Sequence, residues 1–366
     1  MRKPEAGSVL VLVGTKKGGF IFHAGPQRKN WKLSGPYYKG SHPIYHMAFD
    51  PRDDTIYAAL NSETWGTAIY ESVDYGESWK KLKSQPTFGK KSKLKVKNLW
   101  HIEPGLKSTP DRLYVGVDPA GLFVTEDRGR TWEPVEALNN HKTRRQWSPG
   151  AGGMCLHSIV LDPNDPRKMY VGISAAGVFR TTNDGENWEP VNKRTRADFL
   201  PNKYPLVGQC VHKVAFHSAR PNVLYQQNHC GVYRTDSYGD EWIDIGRGLP
   251  SSYGFPIVVH PREAETIYVV PEESDESHVP PNGHFAVYRS RNSGRTWERL
   301  DRGLPTRDAY LGVLREGMAV DGADLCGIYV GTNTGQLFYS VNEGENWQLL
   351  AEWLPPIYSV SCGLVS

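Results

Sequence analysis

No stretch of this chain is apolar for the ~18 consecutive residues that a membrane-spanning helix requires, which excludes a helical span. The apolar run at residues 9–13 stops at Lys16 and Lys17. A secretory leader needs ~7–15 apolar residues followed by a small-residue cleavage site. We therefore expect a β-strand at this run and a cytoplasmic protein. Cysteine is scarce and odd in number, with Cys155, Cys210, Cys230, Cys326 and Cys362 spread over 366 residues. That is no disulfide framework, and it predicts reduced thiols. Charge of one sign is lacking as well. The chain has 43 Lys and Arg against 40 Asp and Glu, a formal net charge of +3. Without clustered bases there is no footprint for nucleic acid.

What the chain has in quantity is glycine (37), tyrosine (19) and tryptophan (11), a composition suited to many short strands joined by tight turns. These residues recur in order. Ser or Thr, any residue, Asp, Asn or Ser, any residue, Gly, two further residues and Trp appear at 72–79, 125–132, 181–188, 235–242, 290–297 and 340–347. Such a period of about 50 residues marks a repeat architecture. The third residue can accept bonds from backbone N–H groups further on, and the glycine can take positive φ without strain. The tryptophan offers a large apolar ring to pack between neighbouring repeats.

Each repeat has the same grammar. An apolar strand ends in a turn, as at 44–49 before Asp50-Pro51 and 158–161 before Asp162-Pro163. A second strand carries a tyrosine (Tyr57, Tyr170), a third follows a glycine turn, and the Trp opens a fourth. Four short antiparallel strands per repeat make a β-propeller blade. The fold class is thus all-β, a seven-bladed propeller of four-stranded antiparallel blades in one domain over residues 1–366. Six blades are explicit, at roughly 43–83, 98–138, 154–193, 210–248, 254–303 and 310–354. Residues 1–35 lack an inner strand of their own, and residues 357–366 match one. We predict that this last strand completes the first blade, closing the ring and removing an open sheet edge.

The Ser/Thr-x-Asp-x-Gly-x-x-Trp pattern resembles the Asp-box, or bacterial neuraminidase repeat, over essentially the whole chain. The runs 150–180 and 207–234 are similar to a group of bacterial cytoplasmic propellers labelled sialidase-like or glycosyl hydrolase-like. The resemblance implies a ligand pocket at the face opposite the Asp-box turns and, if the protein is an enzyme, a glycosidase-like hydrolase. Sialidases also carry an early Arg-Ile-Pro motif and three spaced arginines, whereas this chain has no Arg-Ile-Pro and no arginine in such a context. As an alternative, the resemblance implies a non-catalytic interaction platform, with a small ubiquitin-like sulfur-carrier protein as partner.

The loops that enter the first strands (84–97, 139–153, 193–209) and the insertion 271–285 crowd that opposite face, where loops carry function. There, Cys155-Leu156-His157 and Cys210-Val211-His212 open adjacent inner strands. Residues two apart in a strand share a face, so each pair is predicted to project together. His229-Cys230 lies in the next turn, and His46 and His101 start neighbouring inner strands. Cys and His together suit zinc or copper, or a nucleophile with its base. Candidate metal ligands are Cys155, His157, Cys210, His212, His229 and Cys230. Packing is the competing expectation, since Cys is a small buried hydrophobe. Arg144 and Arg145, beside Trp147, offer an anion clamp, and Tyr253, Tyr310 and Arg315 are expected to complete the pocket wall.

Overall fold

The computed structural model describes residues 3–38, 42–89, 92–150 and 152–366. Parts of the loops expected at 84–97 and 150–153, and the first two residues of the first blade, lie outside them. Seven four-stranded antiparallel sheets surround a central channel. The inner strands of blades two to seven are Ile44–Asp50, Asn98–Pro104, Leu156–Leu161, Val211–His217, Gly254–Val259 and Met318–Val320. Blade one takes its inner strand from the far end of the chain. Ile357–Leu364 pairs with Val9–Thr15, from Val9 opposite Leu364 to Thr15 opposite Ile357. All seven residues of Val9–Thr15 are buried, which is why neither side of this strand could be left as an edge.

The cores lie between blades. One unites Val160, Tyr170, Val178 and Val191 of blade four with Val211, Val214, Leu224 and Trp242 of blade five. The indole N–H of Trp242 also donates to the Val191 carbonyl at 2.7 Å, and that of Trp297 to Ile245 at 2.9 Å. These two tryptophans therefore pin their blades to the preceding ones. In the recurring turn the Ser72 hydroxyl accepts from Gly76 N–H at 2.8 Å, and Asp74 Oδ1 accepts from Ser78 N–H at 2.8 Å. Both Tyr75 and Gly76 hold positive φ. We call the face bearing these turns lower and the opposite face upper.

A β-bulge interrupts the inner strands near their upper ends. Tyr358, Tyr45, Trp100, His157 and His212 are each the unpaired extra residue of such a bulge, and Phe255-Pro256 forms the sixth. In blade seven, Glu316 bridges Ser359, so Arg315 stands where blade one has Tyr358. A bulge re-aims the side chain that it carries.

Candidate site at the upper channel mouth

Most of the bulge residues form a collar around the channel. Tyr45 meets Tyr358 and Trp100 edge-on, with ring centroids 5.0 and 5.1 Å apart. His212 stacks on Phe255 at 4.4 Å. The Arg315 guanidinium lies 5.5 Å from the ring centroid of Trp100 and 5.5 Å from that of Phe255.

Beside the collar, the Cys210 sulfur and one nitrogen each of His212 and His229 lie within 4.8 Å of one another. The remaining contacts of each imidazole orient it. His212 Nδ1 is 2.6 Å from the Gly254 carbonyl oxygen, which fixes the proton there. His229 Nε2 is 3.1 Å from Asp275 Oδ2. Burial alone would raise the Cys210 thiol, but hydrogen bonds from His212 and His229 outweigh it and bring the thiol down to about 5. The same bond, ahead of burial, raises His229, while burial lowers His212. The site thus brings a thiol with a depressed pKa together with two imidazoles shifted in opposite directions, His229 up and His212 down. Tyr253 closes one side, edge-on to both histidines and 3.0 Å from His278 Nε2 through its hydroxyl.

The matching pair in blade four behaves differently. His157 Nε2 contacts the Val211 carbonyl at 2.9 Å and its Nδ1 contacts the Ser158 hydroxyl at 3.1 Å. Both nitrogens are occupied, and the ring is wholly buried. Burial pushes the Cys155 thiol up to about 12. Blade five has Lys213 in place of Ser158, so no hydroxyl competes for the second nitrogen of His212. Cys230 is turned away, its sulfur accepting from Asp198 N–H at 3.3 Å. Arg144 donates to the Ala120 carbonyl at 2.6 Å and covers Trp147 at 5.0 Å. Trp147 itself is part of the core between blades three and four. These contacts hold the Arg144 guanidinium against blade three with its Nη1 buried and without a partner, and Arg145 is exposed on the short helical turn Arg144–Gln146. Tyr310 is 69% exposed and lies before, not on, its inner strand.

Below the collar, His46, His101 and Glu316 form a second buried group. Glu316 pairs with Lys213, and its Oε1 is 3.4 Å from His101 Nδ1. Burial would raise the Glu316 carboxyl, but Lys213 and His101 hold it well below the usual carboxylate range. His46 and His101 stack at 4.3 Å, and His46 Nδ1 accepts from Ile102 N–H at 3.2 Å. This layer roofs a cavity of about 630 Å³ that runs toward the lower face between Ala48, Ile102, Val214 and Val360. Lys213, Asp275 and His278 escape sequence reasoning, and Glu316 is a candidate carboxylate that no spacing singles out. Each is an ordinary surface type in an unremarkable context, and only the strand register brings it to the channel.

Fold and site together define a seven-bladed propeller with a thiolate–imidazole centre at one mouth of its channel. No family model matches the chain. It is 24% identical over 290 residues to an oligoxyloglucan-reducing end-specific xyloglucanase of Emericella nidulans, covering 70% of this chain and 34% of that one. It is 24% identical over 283 residues to the xyloglucanase Xgh74A of Acetivibrio thermocellus, covering 66% of this chain and 31% of the other. The chain thus spans about a third of the length of these curated relatives. Among solved structures it resembles an ancestral GH74 enzyme, with a TM-score of 0.58 and 17% identity over 84% of this chain and 38% of that one. It also resembles YCF48 bound to D1 peptide, with a TM-score of 0.53 and 14% identity over 84% and 81% of the two chains. The structural likenesses establish the fold. The sequence relatives are xyloglucanases, and they lend no support to a sialidase label.

Proposed function

We propose that the upper mouth is a metal-dependent, hydrolase-type site for a glycan-type ligand, with Cys210, His212 and His229 as the ligands of a zinc- or copper-class ion. The observation that carries this reading is the convergence of one low-pKa thiol and two imidazoles whose remote nitrogens are already held. Metal-bound histidines characteristically make such outer bonds to a carbonyl or carboxylate, which fix ring orientation and raise basicity. Three protein ligands with a free fourth position is the pattern of catalytic rather than structural zinc. A bound ion of this kind lowers the pKa of a water or polarises an oxygen of the ligand. The chain's own groups do the rest: Gly254 sets the tautomer of His212, Asp275 orients His229, and the Tyr253–His278 pair borders the open side. The xyloglucanase relatives support a glycan-type ligand class.

Elemental analysis of the purified chain tests the metal. We expect about one equivalent in the wild type and little in Cys210→Ser and His212→Ala. Substoichiometric metal in a wild type reconstituted with zinc would refute it. Fluorogenic glycosides, sialosides included, then test the reaction, and uniform inactivity of the metal-loaded protein would remove the hydrolase part.

A second reading, an interaction platform, draws support from Trp65, Phe199, Tyr204, Tyr310 and Trp353, which are 49–86% exposed on loops of the upper face. A sulfur-carrier protein whose tail enters the mouth would shield Cys210 from alkylation. Unchanged alkylation in its presence would count against that partner.

A further inference from the structure

Arg315 stands at the upper mouth as a guanidinium with no acid partner among the described residues. Its Nε is buried without a hydrogen-bond partner, and among the described residues no carboxylate pairs with it. The adjacent Glu316 is already committed to Lys213 and His101. The rings of Trp100 and Phe255 flank the guanidinium, which steadies its charge but offers nothing to its N–H edge. A partly desolvated, unpaired cation is costly in the ligand-free protein. The cost is offset when an oxyanion binds, because a guanidinium presents its donors as a fork that fits carboxylate and phosphate.

The surroundings favour the same ligand. One layer below, Lys213 is already paired with Glu316, which leaves Arg315 as the cation open to a ligand. Arg315 acts electrostatically on His212, Cys155, His157 and Tyr253, which places its charge in the same chamber as the Cys210 centre. Space is left above it. A β-carbon added at Gly152 would lie 3.9 Å from Arg315 Nη1, with no closer neighbour, and one added at Gly150 would lie 3.6 Å from the Cys210 sulfur. Gly150 and Gly152 therefore leave both groups uncovered by any side chain of their own.

We infer that the ligand of this mouth is anionic, a glycan-type molecule bearing a carboxylate or other oxyanion that docks on Arg315 while another part of it reaches the Cys210–His212–His229 centre. The inference rests on the proposed site but not on its metal. It assigns Arg315 as the residue that selects a charged ligand over a neutral one.

Calorimetric titration of the whole chain with glucuronate, glucose and inorganic phosphate, each at low and high salt, tests it. Glucuronate should bind the wild type and glucose should not, with affinity falling as salt rises. Phosphate binding alone, without glucuronate, would leave an oxyanion site but overturn the glycan-type class. Arg315→Gln should lose about 10- to 100-fold in affinity for the anion, the usual worth of a charge-assisted hydrogen bond, and Arg315→Lys should retain part of it. Circular dichroism and zinc content establish that both variants are folded and loaded. Equal binding of glucose and glucuronate, or full anion affinity in a folded Arg315→Gln, would overturn the inference. Arg315-dependent binding to a chain that takes up no zinc would uphold it while refuting the metal.

Discussion

Glu272 ends the second strand of blade six at the upper face and is 1% exposed. Its Oε1 accepts from Val313 N–H at 3.0 Å, and its Oε2 is buried without a partner. Blade two has Asn61 at this place, accepting from Leu99 N–H at 2.8 Å and donating to the Leu99 carbonyl at 3.1 Å. The position suits a neutral, amide-shaped clasp to the next blade. A glutamate can fill it only as the protonated acid, and burial accordingly pushes its carboxyl up from 4.5 to about 7. The sign follows from linkage. Between these two values the unfolded chain has released the proton and the folded chain still holds it, so folding takes up a proton and stability falls as pH rises. Below about 4.5 both states are protonated and the group costs nothing, whereas above about 7 the full penalty applies. At 1.36 kcal/mol per pH unit the penalty is about 3 kcal/mol. Glu272→Gln, neutral at every pH, should match the wild type near pH 5 and exceed it by up to about 3 kcal/mol at pH 8. Denaturant midpoints of both proteins at the two pH values measure this. A stability difference that does not grow between pH 5 and pH 8 would refute the assignment.

Four further outcomes are expected. In metal-free protein at pH 6.5, iodoacetamide should label Cys210, whose thiol is brought down to about 5, and spare Cys155 and Cys326, pushed up to about 12 by burial. His229→Ala should move the labelling midpoint of Cys210 upward toward an ordinary thiol, and peptide mass spectrometry across a pH series would detect an unmoved midpoint. Gly335→Ala should destabilise the chain by at least about 1–2 kcal/mol, because Gly335 holds φ +96° with its open side against the Leu354 carbonyl; a thermal melt equal to wild type would contradict this. Deleting residues 357–366 uncovers Val9–Thr15 as a fully apolar edge, and we expect aggregation rather than a soluble folded chain on size-exclusion chromatography.

The blade count and the closing strand were legible because each blade is specified locally. Ser72, Asp74, Gly76 and Trp79 act within eight residues of one another, and the same pattern occurs six times in all. The site was legible only as a neighbourhood. Cys155-Leu156-His157 and Cys210-Val211-His212 read identically, yet one histidine is saturated by Val211 and Ser158 while the other is left facing a sulfur. The residue after each histidine, Ser158 or Lys213, separates them, and its effect depends on a partner in blade seven, Glu316. The surroundings of Arg144 were hidden for a similar reason, since a backbone carbonyl and Trp147 hold the side chain while its Nη1 stays unpaired. Arg315 was placed on the wall by its position, but its lack of an acid partner is a property of seven blades at once.

The closing strand also sets a clock. Val9–Thr15 emerges early in synthesis and waits for Ile357–Leu364, which follows about 350 residues later. At about 5–20 residues per second that is some tens of seconds in which a wholly apolar strand has one neighbour and an open side. Until Ile357–Leu364 arrives the ring is not closed, and Tyr358 cannot meet Tyr45. The collar of Tyr358, Tyr45 and Arg315 is therefore assembled only after Ile357–Leu364 has been made.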